Sequence, residues 1–168
     1  KCKIHLLHGD LKRSQLTWLY NHEKIKCMVN ISHGEGFGLP LYEAARESLP
    51  IITIPWSGQM DFLSFNNKNY FKEVKFELKP VQPTAVWKGV IREDSMWAYA
   101  DQGSYKMALR KMYKDWPKFK KQAEELVGFI NKEFSREVIE KKFVDGVLGF
   151  DSSLIELTTQ EDIVLEFD

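Results

Sequence analysis

A chain of 168 residues is long enough for one domain with a real hydrophobic core, and its 43% hydrophobic and 29% charged content is that of a globular protein rather than a disordered or fibrous one. Twenty-four basic residues balance 24 acidic ones, so no overall field points to nucleic acid or to an anionic membrane. No run approaches the length of a membrane span, no signal peptide pattern appears, and Cys2 and Cys27 form neither a disulfide framework nor a zinc spacing, so a cytoplasmic location is expected.

The chain opens at Lys1 almost inside an apolar run, which reads as a fragment of a longer protein. Ile4 to Leu7 is expected to be a strand, stopped by Gly9-Asp10. Leu16, Leu19 and Tyr20 fall at helical spacing within Leu11 to Glu23. Ile25 to Ser32 is nearly continuous in apolar residues, as in a strand covered on both faces. A glycine-rich loop, His33 to Gly38, follows. Pro40 to Ser48 then reads as a helix with Pro in its first turn and Leu41, Ala44 and Ala45 inward. Pro50 to Trp56 is a second buried strand. Ser57-Gly58 turns the chain into a short helical stretch ending near Phe65, and Asn66-Asn67 marks a turn. Val74, Phe76 and Leu78 alternate with Lys75 and Glu77, the pattern of a half-exposed edge strand.

Beyond residue 80 the texture changes. Pro80 to Ala100 has little periodicity and is expected to be an ordered excursion packed by its aromatics. Three helices follow. Tyr105, Ala108, Leu109 and Met112 mark the first, and Phe119, Ala123, Leu126 and Ile130 the second. Ile139, Phe143 and Val147 mark the third, which opens near Ser135 as N-cap. Residues 151–168 hold six acids and no Lys or Arg, which leaves residues 1–150 a surplus of six positive charges. The expected organisation is one α/β domain over 1–150 and an acidic tail over 151–168. Strands alternating with helices imply a parallel sheet with helices on both faces.

Residues 32–43 carry the chemistry. They join a buried strand to a helix N-terminus, where unpaired N–H groups and the helix dipole favour an anion. Gly36 and Gly38 let the backbone approach a ligand without a Cβ in the way. The spacing is neither Gly-x4-Gly-Lys-Ser/Thr nor Gly-x-Gly-x-x-Gly. Two carboxylates, Glu35 and Glu43, flank the helix start. Carboxylates are poor phosphate partners but good acceptors for sugar hydroxyls. Backbone N–H groups with a carboxylate on either side therefore match a sugar nucleotide.

The run Glu35-Gly-Phe-Gly-Leu-Pro-x-x-Glu43-Ala resembles the signature of GT-B glycosyltransferases, especially family 4. The resemblance extends over residues 3–148 and is most specific in 32–56. It implies a Rossmann-like parallel sheet, the C-terminal half of a GT-B fold, in a retaining hexosyltransferase that uses a UDP- or GDP-hexose and needs no metal or other cofactor. The chain contains no Asp-x-Asp. It implies that Glu35 contacts the donor sugar near the reacting carbon. The N–H groups of Gly36, Phe37, Gly38 and Leu39 would hold sugar and pyrophosphate, and Glu43 the ribose hydroxyls. Gly9, Asp10 and Leu11 would lie beside the base. It further implies an N-terminal acceptor-binding domain, and an Arg and Lys clamp on the pyrophosphate, outside this chain. The isolated chain is then expected to transfer little or nothing.

Rival readings are a non-catalytic nucleotide or carbohydrate-binding module, a GT-B epimerase or phosphorylase, and a purely structural subunit. One departure from the family is Ser48, where a glycine usually ends the motif helix; a different cap is expected there. His5, His8, His22 and His33 lack metal-ligand spacing. His33 is expected to bond backbone, the five tryptophans to pack in the core or an interface, Asp61 to cap a helix as readily as bind a ligand, and Lys118, Lys120 and Lys121 to form a solvated face.

Overall fold

A computed structural model of the chain describes residues 3–149; Cys2 and the acidic tail at 151–168 lie outside the described residues. The chain divides into two compact units, Lys1–Ile130 and Asn131–Asp168.

The first unit is mixed α/β. Its elements begin with α1 (Arg13–Asn21), β1 (Met28–Asn30), α2 (Leu39–Arg46), β2 (Ile51–Thr53) and α3 (Met60–Leu63). Next come β3 (Ser64–Phe65), β4 (Lys68–Asn69), β5 (Lys72–Glu73), β6 (Phe76–Pro80) and β7 (Met96–Ala100). Helices α4 (Gln102–Lys114) and α5 (Trp116–Glu133) close the unit, α5 running past its boundary.

Strands β1, β2 and β5 form a parallel sheet in that order, with Met28 opposite Ile51 and Ile52 opposite Lys72. The central strand is covered on both faces, because Ile51, Ile52, Thr53 and Ile54 are at most 1% exposed. This is why Pro50 to Trp56 reads as continuous apolar sequence. Ile52 and Ile54 pack with Val74, Ala98, Ala108, Met112 and Phe119, so β7, α4 and α5 close that layer. α2 lies against β1 and β2 and buries Leu41, Ala44 and Ala45 completely.

The ends of α2 are specified locally. Gly38 caps its start with φ 88°, a left-handed conformation that costs glycine nothing, and Pro40 sits in the first turn. At its other end Leu49 N–H donates to Ala44 O (3.0 Å) and Ser48 N–H to Ala45 O (3.0 Å). Those two bonds define a Schellman motif, and Ser48 takes the left-handed position with φ 54°. The expectation of a different cap is thus corrected: the geometry is the usual one, and serine stands where glycine is favoured. Lys120 Nζ donates to Ser48 O (2.9 Å), so this lysine is not merely solvated. Left-handed serine costs roughly 1 kcal/mol. Ser48→Gly should therefore stabilise the fold by about 0.5–1 kcal/mol, read as a rise of a few degrees in thermal unfolding; an unchanged or lower Tm would contradict it.

Asn66 and Asn67, with φ 50° and 57°, form the two-residue turn between β3 and β4, since both positions need positive φ. Asp101 caps α4 by accepting from Ser104 N–H (2.6 Å).

Several expectations are corrected. Ile4 to Leu7 is not a strand: Ile4 is 92% and Leu6 89% exposed, and among the described residues no strand lies beside them. An apolar run becomes a strand only with a neighbour to pair with. The alternating run at 74–78 is two pieces. Val74 N–H donates to Thr53 O (2.9 Å) and completes the parallel sheet; Phe76 then leaves to pair with Ala100. Pro80 to Ala100, expected as an ordered excursion, ends in a strand that was not anticipated, since Met96–Ala100 runs antiparallel to β6. Of the two alternatives for the tryptophans, core or interface, the core is ruled out for Trp18 and Trp87, which are 63% and 66% exposed.

In the second unit the described part is α6 (Arg136–Leu148) with the end of α5. Ser135 caps α6 by accepting from Val138 N–H (3.3 Å), as its sequence suggests.

Candidate functional site

The loop from Ile31 to Gly38 leaves the carboxyl end of β1, where ligands of open α/β sheets bind. Its first acidic side chain is held in place. Glu35 Oε1 accepts from Asn30 Nδ2 (2.7 Å) and from Ser32 Oγ (2.9 Å), and Ser32 N–H donates to Asn30 Oδ1 (2.8 Å). The cluster is half-buried, which strengthens these charge-assisted bonds. Oε2 of Glu35 has no partner among the described residues. Neither Asn30 nor the role of Ser32 was anticipated. The signal was present: Asn-x-Ser at a strand end favours an asparagine that accepts the N–H two residues on.

The loop backbone is clamped from the β2 side. Gly58 N–H donates to Glu35 O (3.1 Å), and Ser57 Oγ donates to the same oxygen (2.6 Å) while accepting from Glu35 N–H (3.2 Å). Gly58 has no room for a side chain: a Cβ there would overlap Gly36 O and lie 2.7 Å from its carbonyl carbon. At Gly36, by contrast, a Cβ would meet nothing within 4 Å. Among the described residues the N–H groups of Gly36 and Gly38 donate no hydrogen bond. Phe37 packs on Phe62 (centroids 4.9 Å apart) and Tyr42 (5.3 Å), which anchors the loop to the core. Leu39, the first residue of α2, is 58% exposed.

Glu43 lies on α2 and lines a cleft of about 370 Å³ with Arg13, Leu16, Tyr20, Leu39 and Arg46. Burial, reinforced by the Glu43 carboxylate, pushes the Tyr20 phenol above its ordinary range, and both side chains line this cleft. Leu39 brings this cleft to the loop. Leu11 lines a different, apolar cleft with Leu7, Trp18 and Leu19. Gly9 adopts φ 129° in an exposed segment next to it. The structure therefore gathers Glu35, Gly36, Phe37, Gly38, Leu39 and Glu43 around one helix start, and Gly9, Asp10 and Leu11 do not line the Glu43 cleft. Asp61 sits in the first turn of α3, exposed, without a capping bond.

His33 bonds backbone, as expected: its Nδ1 donates to Ala98 O (2.8 Å), while Ala98 N–H donates to His33 O (3.2 Å). Its ring stacks on Trp97 (4.8 Å) and meets Tyr99 (4.6 Å). β7 is thus a wall of the loop, a contribution missed because β7 itself was missed.

Among the described residues no group of three His, Cys, Asp or Glu side chains could hold a metal ion, and no helix is long and apolar enough to cross a membrane. Comparison with protein families, with curated proteins and with solved structures finds no match for this chain.

Proposed function

We propose that this chain is the donor-binding part of a retaining glycosyltransferase, the C-terminal, Rossmann-like half of a GT-B enzyme that transfers a hexosyl unit from a nucleotide sugar. The observation that carries the reading is the fixed Glu35 carboxylate beside a glycine backbone with unpaired N–H donors at the start of α2. The resemblance of residues 32–56 to family 4 supports it, as does the parallel sheet whose carboxyl edge carries the loop.

In this reading each group has one task. Asn30 and Ser32 occupy Oε1 of Glu35 and aim Oε2 at a donor sugar hydroxyl. The Gly36 and Gly38 N–H groups bind the diphosphate, and the dipole of α2 adds to them. Glu43 accepts the ribose hydroxyls. The bond between the anomeric carbon and the diphosphate oxygen breaks, and its electron pair leaves on the diphosphate. The acceptor oxygen bonds the same face of that carbon, and its proton passes to the departing diphosphate. Preorganised dipoles that stabilise the leaving charge supply the catalysis. The acceptor-binding domain and further cations come from a partner domain.

Ligand-observed NMR against UDP, GDP, UDP-glucose and GDP-mannose tests this. One nucleotide series should respond, and Glu43→Ala should weaken that response roughly tenfold, as expected for loss of charged hydrogen bonds. Silence toward all four at several millimolar, or an unaffected Glu43→Ala, would count against the donor site.

A further inference from the structure

A second cleft lies away from the glycine loop and shares no residue with it. Its volume is about 780 Å³, and two separate segments build it, Lys72 of β5 with Lys75 just beyond that strand, and α4 with its N-cap Asp101. Five cations line it: Lys72, Lys75, Arg110, Lys111 and Lys114. The lining holds one carboxylate, Asp101, and that group is committed to the α4 cap through Ser104 N–H. The chain as a whole is neutral, so this is a local segregation of charge.

Among the described residues Lys72, Lys75 and Arg110 form no ion pair; Lys111 pairs with Asp115, outside the lining. Lys111, with Lys114 and Lys118, holds the Asp115 carboxyl below its usual range. Cations near the end of a helix suit its dipole, which accounts for Lys111 and Lys114. It does not account for Lys72 and Lys75, which come from the sheet edge. Lys75 is fixed at the opposite end of α4, because its N–H donates to Ser104 Oγ (2.9 Å). From Ser104 to Lys114 the helix rises about 15 Å, so the charges form a row rather than a point.

We infer that this cleft is a binding site for a ligand bearing several adjacent phosphates, laid along α4 between Lys75 and Lys114. Each phosphate group meets a different cation, and the exposed Met107 offers the one large apolar contact. The inference uses none of the residues of the glycosyl-donor reading and stands or falls apart from it.

Inorganic tripolyphosphate is the first probe, titrated into the full chain by calorimetry at low and at high salt. Binding should weaken about fivefold or more as salt screens the lysines. It should fall by a similar factor in the double variant Lys75→Gln/Arg110→Gln, whose unfolding temperature should stay near that of the parent because both side chains are exposed. A second double variant, Lys88→Gln/Lys121→Gln, removes the same charge elsewhere and should bind as the parent does. Vesicles carrying phosphatidylinositol phosphates, tested in parallel, show whether the phosphates are presented free or on a membrane; a response to either with this variant pattern supports the site. No response to either probe, or equal losses in the two double variants, would overturn it.

Discussion

Gly58→Ala should unfold more readily than the parent by about 1–3 kcal/mol and, under the donor-site proposal, should lose nucleotide-sugar binding by more than tenfold. The new methyl would overlap Gly36 O and crowd Phe37 Cα at 3.0 Å, and both neighbours are backbone, so no side chain can swing away. Either the Ser57-Gly58 turn retreats, breaking its bonds to Glu35, or the loop does. Gly36→Ala is the matched control. Its methyl enters open space and its φ is not in the left-handed region, so stability should change by less than about 0.5 kcal/mol. Under the donor-site proposal ligand binding should nevertheless suffer, because the methyl stands where the proposed diphosphate would approach. Chemical denaturation and the NMR titration, run on both variants, separate the effects. Equal stability of Gly58→Ala and parent would show that the loop is not packed as described.

Phe62→Ala carries the second large effect. Phe62 is fully buried, and its ring meets those of Phe37 at 4.9 Å and Tyr42 at 5.3 Å. Removing a buried phenyl costs about 3–5 kcal/mol through lost transfer energy and the cavity left behind. For a chain of this size that corresponds to a fall of roughly 6–20 °C in Tm. The same substitution withdraws the surface on which Phe37 rests, so loop order should decline before global unfolding. Amide exchange at Glu35 and Gly58, whose N–H groups bond Ser57 Oγ and Glu35 O, should then accelerate at temperatures where β2 amides remain protected. Uniform exchange across the loop and β2 would separate the loop from this aromatic cluster.

What could be read in advance was local. The inward face of α2 follows from the 3.6-residue spacing of Leu41, Ala44 and Ala45, and the β3–β4 turn from the tolerance of asparagine for positive φ. The buried run at Ile51 to Ile54 is legible because a strand covered on both faces needs no polar alternation. What escaped depends on partners distant in sequence. Met96–Ala100 has no alternating pattern, since Ala98 must be small and buried while Trp97 and Tyr99 turn to His33. Its pairing with Phe76–Pro80 follows an excursion that no local rule closes. Ile4 to Leu7 failed for the converse reason, a strand-like composition with no described strand to pair it. The clamp on Glu35 lay between these cases. Asn30 and Ser32 lie within five residues of Glu35 in sequence, but Ser57 and Gly58 arrive only through the β1–β2 pairing.

The reciprocal hydrogen bonds between Ser57 and Glu35, with Gly58 pressed on Gly36, have a kinetic meaning. A loop fitted against a neighbouring turn has already given up its conformational freedom when the chain folds. A ligand arriving there need not order it again. Association should then be governed by diffusion and orientation, and variants of the clamp should differ mainly in how long the ligand stays.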